Sequence, residues 1–274
     1  MKKIQIPLIM VFLLSCISIY SQDLDKTITH YGEDNAIKYL QPLADAFGAN
    51  LNSGLQRSAH ISKFGFHFNL SLQAMYSPLA EGKKNFTPVG EDMKVPTVFG
   101  KESTVEDYPD GLWDTDFFPL VVPQLTIGSL MGTEVTIRYF AFKNKDIGKI
   151  TLYGWGIRHS ISQYILLCPV DIAAGFFHQK FSIGSYIDAT ALYYGIQISK
   201  QFSVLILYAG VGGEKSTLKL DYEYEDTNVS FDLDGENKTR MTIGAGLDFK
   251  YVKLYVDFNL APQKVISGGI GFGL

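Results

Sequence analysis

Every second residue is apolar along Phe64, Phe66, Phe68, Leu70, Leu72, Ala74 and Tyr76, with Lys63, Gly65, His67, Asn69, Ser71 and Gln73 between them. A period of two puts successive side chains on opposite faces of a strand, whereas a helix needs a period near 3.6. The run is longer than an ordinary strand of about five or six residues. It suits a strand crossing a bilayer at a tilt, which takes about 9–11 residues. The pattern returns as Met241, Ile243, Ala245 and Leu247, then as Val252, Leu254, Val256, Phe258 and Leu260, and last as Ile266, Gly268, Ile270, Phe272 and Leu274. Less regular runs lie at residues 124–130, 133–142, 149–158, 171–181, 186–199 and 202–212. No helical period competes after Gly54.

Alternation alone also fits a soluble sandwich, which wets one face and buries the other. Long strands, a secretory leader and a final strand reaching Leu274 favour the membrane barrel. Aromatic residues near predicted strand ends (Tyr76, Tyr139, Tyr153, Trp155, Tyr186, Tyr251) suit interfacial girdles. Backbone groups in lipid must be paired internally, and a sheet does this only by closing. The fold expected is all-β: a transmembrane antiparallel barrel of about 10–14 strands with a short N-terminal amphipathic helix.

The leader occupies residues 1–21. Lys2 and Lys3 precede an apolar stretch, and cleavage is expected after Ser21. The alternative is a lipobox at Leu13-Leu14-Ser15-Cys16, with Cys16 acylated. Under the first reading Cys168 is the single remaining cysteine, so no internal disulfide forms. Residues 22–60 are then an N-terminal helical segment and residues 61–274 the barrel. Ile37, Leu40, Leu43 and Phe47 recur at helical spacing, Gly48 offers a C-cap, and Pro42 is expected to kink or divide the helix. A helix of this length with one apolar face cannot stand alone. The economical placement is as a plug in the lower lumen, near the periplasmic mouth, with Asp34, Lys38, Gln41 and Asp45 on its polar face.

Tight connections at Met131-Gly132, Lys200-Gln201 and Lys250-Tyr251 read as periplasmic turns. Residues 77–119, 143–148, 213–235 and 261–263 read as outer loops, the first holding an acidic stretch at residues 102–116. Within residues 213–235, two further alternating runs are expected to extend the flanking strands as a hairpin.

Charged residues make up only 19% of the chain, against about 25% in a typical soluble domain. A net charge of −4 leaves no footprint for nucleic acid, which is not an expected partner. Arg or Lys facing lipid at midplane costs about 2–4 kcal/mol. The polar strand residues His67, Glu134, Arg138, Arg240, Asp248, Lys253 and Asp257 should therefore face the lumen. The six charges among them balance, which reads as a paired internal network rather than an ion-selective pore.

Catalytic patterns are weak. His159-Ser160 with Ser162 resembles a histidine–serine pair, yet no acid lies nearby in sequence to orient the histidine. Asp226, Asp232, Asp234 and Glu236 read as a solvated acidic loop, and the histidines and cysteines lack metal-ligand spacing. No enzyme activity, metal or cofactor is expected. Expected partners are outer-membrane lipid, the barrel assembly machinery and a small hydrophobic ligand.

The strings Tyr39-Leu40-Gln41-Pro42-Leu43, Leu51-Asn52-Ser53-Gly54, Val95-Pro96-Thr97-Val98-Phe99-Gly100, Gly156-Ile157-Arg158-His159-Ser160 and Gly269-Ile270-Gly271-Phe272-Gly273 carry a resemblance. The chain resembles an uncharacterised Bacteroidetes family of outer-membrane barrels and is distantly similar to long-chain fatty-acid transporter barrels. That resemblance implies an outer-membrane location and a porin-like channel or transporter for small, hydrophobic solutes. Two alternatives stand beside it: a surface interaction protein acting through its long loops, and a lipid-modifying barrel enzyme.

Overall fold

In the computed structural model the described residues are 21–274, apart from 107, 145–147, 185–186 and 225–226. Most of the leader, including Cys16, lies outside the described residues, as does Asp226. One long helix, α1 (Ser21–Leu51), precedes the strands. The strands of the barrel sheet are β1 (His67–Pro78), β2 (Phe117–Leu130), β3 (Thr133–Asn144), β4 (Gly148–Ser160), β5 (Asp171–Ile183), β6 (Ile187–Phe202), β7 (Leu205–Tyr224), β8 (Thr227–Asp234), β9 (Thr239–Asp248), β10 (Val252–Leu260) and β11 (Val265–Gly273).

All neighbours run antiparallel, and β11 returns to β1, with Asn69 opposite Gly273 and Tyr76 opposite Ile266. Leu274 and Phe68 exchange two backbone hydrogen bonds at 3.0 and 3.2 Å, which seals the seam. β7 is long enough to carry two partners on one edge. Its first half pairs with β9, Ile206 opposite Gly246, and its second half with β8, Leu218 opposite Leu233. β8 and β9 thus form one interrupted strand, and the barrel closes with ten. The hairpin expected within residues 213–235 is this β7–β8 extension.

Short turns at Met131-Gly132, Ser203-Val204 and residues 249–251 gather at one end of the barrel, together with the ten-residue connection 161–170, and the long segment 79–116 covers the other end. Met131 and Gly132 both have positive φ (51° and 72°), as a two-residue type I′ hairpin demands. The β6–β7 turn falls at Ser203-Val204, later than the expected Lys200-Gln201, because β6 keeps pairing to Phe202. The first strand begins at His67, so Phe64 and Phe66 precede it as exposed aromatic side chains at the turn end.

The helix departs most from expectation. It is continuous through Pro42 and ends at Leu51. Pro42 removes the donor for one carbonyl, but burial from Tyr39 onward holds the helix together: Tyr39, Leu40, Ala46 and Leu51 are fully enclosed. Gly48 is no cap. A Cβ there would lie 2.0 Å from Ser216 Oγ, so the residue is small because β7 passes close by.

The helix occupies the long-loop half of the lumen, not the lower half. Asn50 Nδ2 donates to the Phe118 carbonyl at the top of β2, 2.9 Å away. Residues 52–62 then descend as an irregular strap. The expectation of a short tether near the turn end fails because fifteen or so extended residues can reach down a whole barrel at about 3.3 Å each.

Inward side chains change character along the barrel axis. Near the long loops they are apolar: Met75, Leu120, Val122, Leu152, Phe181, Ile183, Leu218 and Leu233 pack on α1 in one core. On β5 the outward residues at this level are His178, Lys180 and Ser182, whereas nearer the turns they are Ile172, Ala174 and Phe176. The loop half is therefore built like a soluble protein. The turn half is built like a lipid-facing barrel, with Leu70, Ile137, Ile157, Ile196, Leu207, Ile243 and Val256 outward.

Residues 79–116 fold over the helix as a lid. Val98 N donates to the Tyr39 carbonyl at 3.1 Å, and the Tyr39 hydroxyl donates to the Asp110 carbonyl at 3.1 Å. Burial beside Asp110 raises the pKa of that hydroxyl well above the usual tyrosine value.

Candidate functional site: the occupied lumen

A helix C-terminus leaves four carbonyls without intrahelical donors and carries partial negative charge. Here that end lies mid-barrel, where no solvent can satisfy it. Two buried arginines from different walls do so. Arg138 of β3 donates to the carbonyls of Leu51 (3.0 Å) and Ser53 (2.8 Å), and its Nε donates to Gln124 Oε1 at 2.8 Å. Arg240 of β9 donates to the carbonyls of Ala49 (2.9 Å) and Asn52 (2.7 Å) and pairs with Glu214 at 2.9 Å. Both arginines are under 3% exposed.

Below this clamp the strap is pinned at each step. Gln56 Nε2 donates to the Tyr193 hydroxyl at 2.7 Å, Gln197 Nε2 donates to the Arg57 carbonyl at 2.6 Å, and Ala59 N donates to Ser199 Oγ at 2.8 Å. His60 Nδ1 meets Asp171 Oδ1 at 3.0 Å at the turn-end mouth. That hydrogen bond raises the His60 pKa above 6.5, against the opposing effects of burial and Lys253.

The polar residues singled out in the sequence lie on the inner wall. Glu134 pairs with Arg158 of β4, whose Nε donates at 2.7 Å, and lies 3.3 Å from His67 Nε2. Arg240 meets Glu214. Asp248 pairs with Lys253 at 3.2 Å, both being part-exposed at the turn end. Asp257 accepts from the Tyr208 hydroxyl at 3.1 Å, from Asn259 and from Ser267. Of the predicted plug stripe, Leu40, Leu43 and Phe47 are buried in the upper core and Ile37 is half-buried against it.

Arg57, Arg158 and Glu214 escaped the sequence reading. Glu214 fell in a segment read as loop, and Arg158 closed a run whose register with β3 is set by an outer connection. At the mouth, a cavity of about 200 Å³ is lined by Arg57, His60, His67, Asn69, Glu134 and Lys253, among others.

The serine–histidine motif is not assembled for catalysis. His159 lies 2.8 Å from Thr133 Oγ1 and 2.9 Å from the Tyr164 hydroxyl, while Ser160 meets Ser162. Asp234 accepts from the Thr217 hydroxyl and Glu236 pairs with Lys83, so these acidic residues do not converge on one point.

A model for a family of unknown function matches residues 1–274. The chain belongs to that family, DUF6588. No curated protein matches it. Among solved structures, this DUF6588 chain is similar to the outer membrane protease OmpT of Escherichia coli at 7% identity, covering 76% of this chain and 94% of that one, with a TM-score of 0.34. It is similar to Ail, the attachment invasion locus protein of Yersinia pestis, at 9% identity, covering 77% and 100%, with a TM-score of 0.29. It is also similar to the toluene transporter TodX of Pseudomonas putida at 12% identity, covering 77% and 67%, with a TM-score of 0.26.

Proposed function

We propose that this DUF6588 chain is an outer-membrane barrel of a Gram-negative bacterium, sealed by its own N-terminal segment, that acts at the cell surface. The end that carries the short turns faces the periplasm and the end covered by residues 79–116 faces the exterior. The lipid-facing band of the turn half supports the location.

The observation that carries the functional reading is the arginine-clamped helix in the lumen. Tyr39, Leu40, Leu43, Phe47 and Leu51 are each at most 8% exposed. At about 1.5–3 kcal/mol apiece, their burial holds the plug by roughly 10 kcal/mol. Withdrawal would also take four backbone carbonyl acceptors from Arg138 and Arg240, leaving Gln124 and Glu214 as their wall partners. A spontaneous open state is therefore too rare to conduct. The exposed lid then becomes the working surface, with Glu91, Asp92, Glu102, Glu106 and Asp114 open to solvent. In this reading the protein is not an enzyme and binds its partner through the lid.

A second reading keeps the notion of a transporter for small hydrophobic solutes, with the strap as gate. The cavity at the turn-end mouth favours it. Flux measurements in liposomes separate the two. The full chain should release small solutes no faster than protein-free vesicles, and a chain lacking residues 23–54 that still folds should release them faster. Solute release by the full chain would overturn the sealed reading.

A further inference from the structure

Charges on the outer wall of a membrane barrel are costly at midplane and nearly free at its edge. On β3 and β4 the outward positions face each other in register: Ile137 opposite Trp155, Tyr139 opposite Tyr153, Ala141 opposite Thr151 and Lys143 opposite Lys149. Strand alternation turns both lysines outward, because Phe142 packs on the core and Ile150 is buried in it. Both are exposed. Directly opposed residues have Cβ atoms about 4.5–5.5 Å apart, and like charges at that spacing repel. Among the described residues, the outward lysines Lys180 and Lys219 lie 3.6 and 3.3 Å from Asp188 and Asp221, whereas Lys143 and Lys149 have no carboxylate partner. By sequence, residues 143–149 carry three lysines against one aspartate.

The level of the pair decides what can answer it. Tyr139, Tyr153 and Trp155 are exposed rings at the upper edge of the apolar band, and Ile137 and Ile157 face outward beneath them. The lysine pair stands four residues beyond the tyrosine pair, about 13 Å along the strand. A strand tilt of about 40° reduces this to about 10 Å in depth. Lysine stems lie along apolar surface while their heads reach polar groups, so the two ammonium groups can meet headgroups lying just above the aromatic girdle.

We propose that Lys143 and Lys149 form a docking site for the negatively charged phosphate headgroup of an outer-leaflet lipid, whose acyl chains run down over Tyr139 and Tyr153. A phosphate shared by the two ammonium groups turns their repulsion into attraction. The place of the site in the outer leaflet rests on the orientation proposed above, with the end covered by residues 79–116 outward.

Thermophoresis of the full chain in dodecyl maltoside, titrated with diphosphoryl lipid A, tests this. Saturable binding is expected. Each lysine near a charged lipid surface contributes about a fivefold gain in affinity, so Lys143→Gln with Lys149→Gln should weaken binding roughly twenty-five-fold. Lys94→Gln with Lys101→Gln removes the same charge from exposed positions of the lid and should leave binding unchanged. In the absence of lipid A, Lys143→Glu should raise the melting temperature by converting the repelling pair into an attracting one. Heat-modifiable migration of each sample shows whether the barrel has formed. A chain that never forms it would overturn the barrel reading and the lipid site together. A folded barrel without saturable binding, or with equal losses in the two double variants, would overturn the lipid site alone.

Discussion

Gly48 and Ser216 show how one atom sets a sequence. The absent Cβ of Gly48 leaves room for a hydroxyl 2.0 Å from where that carbon would sit. Gly48→Ala should therefore lower the melting temperature, and adding Ser216→Gly should restore most of the loss; no rescue would mean the strain lies elsewhere. The clamp is a second residue-scale test. Arg240→Met leaves Glu214 buried without its cation, and breaking such a pair costs about 3–5 kcal/mol. Glu214→Gln combined with Arg240→Met should cost less than Arg240→Met alone in chemical unfolding. His60 supplies a pH dependence. Its pKa is raised by the Asp171 hydrogen bond, with Lys253 opposing. The stabilisation is thus complete below the unfolded value of about 6.5 and fades as pH rises through the folded one. The imidazole is largely exposed, so the pair contributes at most about 1 kcal/mol. Melting between pH 6 and pH 8 should fall more in the native chain than in His60→Gln, and equal falls would remove His60 from the account.

At the scale of elements, the strands were legible because a period of two is a local property of the chain. Phe68 to Tyr76 and Met241 to Leu247 announce their faces without knowledge of any neighbour. The helix was legible in kind but not in extent or place. Pro42 argues for a break on propensity alone, and only a core that surrounds residues 39–51 overrides it. Its level in the lumen follows from Arg138 and Arg240, whose carbonyl partners are set by three-dimensional packing rather than spacing. Glu134 and Arg158 are direct cross-strand partners on β3 and β4. Their pairing depends on the length of an outer connection, which no local pattern reveals. The seam makes a prediction of its own. Removing the last three residues deletes both bonds between Leu274 and Phe68 and shortens β11 at its pairing with β1. Such a chain should lose heat-modifiable migration on gels, since an unclosed sheet leaves backbone groups unpaired in lipid. Normal insertion of the truncated chain would count against closure at this seam.

The whole molecule is one chain passed through its own barrel. Over the described residues it descends through an apolar core and then a polar strap, and leaves at the turn end to begin β1. Lys83 fastens the upper rim by reaching Asp45 of α1 and Gln263 before β11, each at 3.0 Å, and Glu236 at the β8–β9 break. Helix, lid and barrel therefore stabilise one another, and the plug is part of the core rather than a loose insert. The direction of that passage is the central claim, and it can be read from each side of the membrane. In a Cys168→Ser background, Lys38→Cys and Lys63→Cys place single thiols at an exposed position of α1 and just before β1. A membrane-impermeant maleimide added to intact cells should label position 38 at once and position 63 only after the outer membrane is permeabilised. Labelling of position 63 on intact cells, with position 38 protected until permeabilisation, would contradict the account.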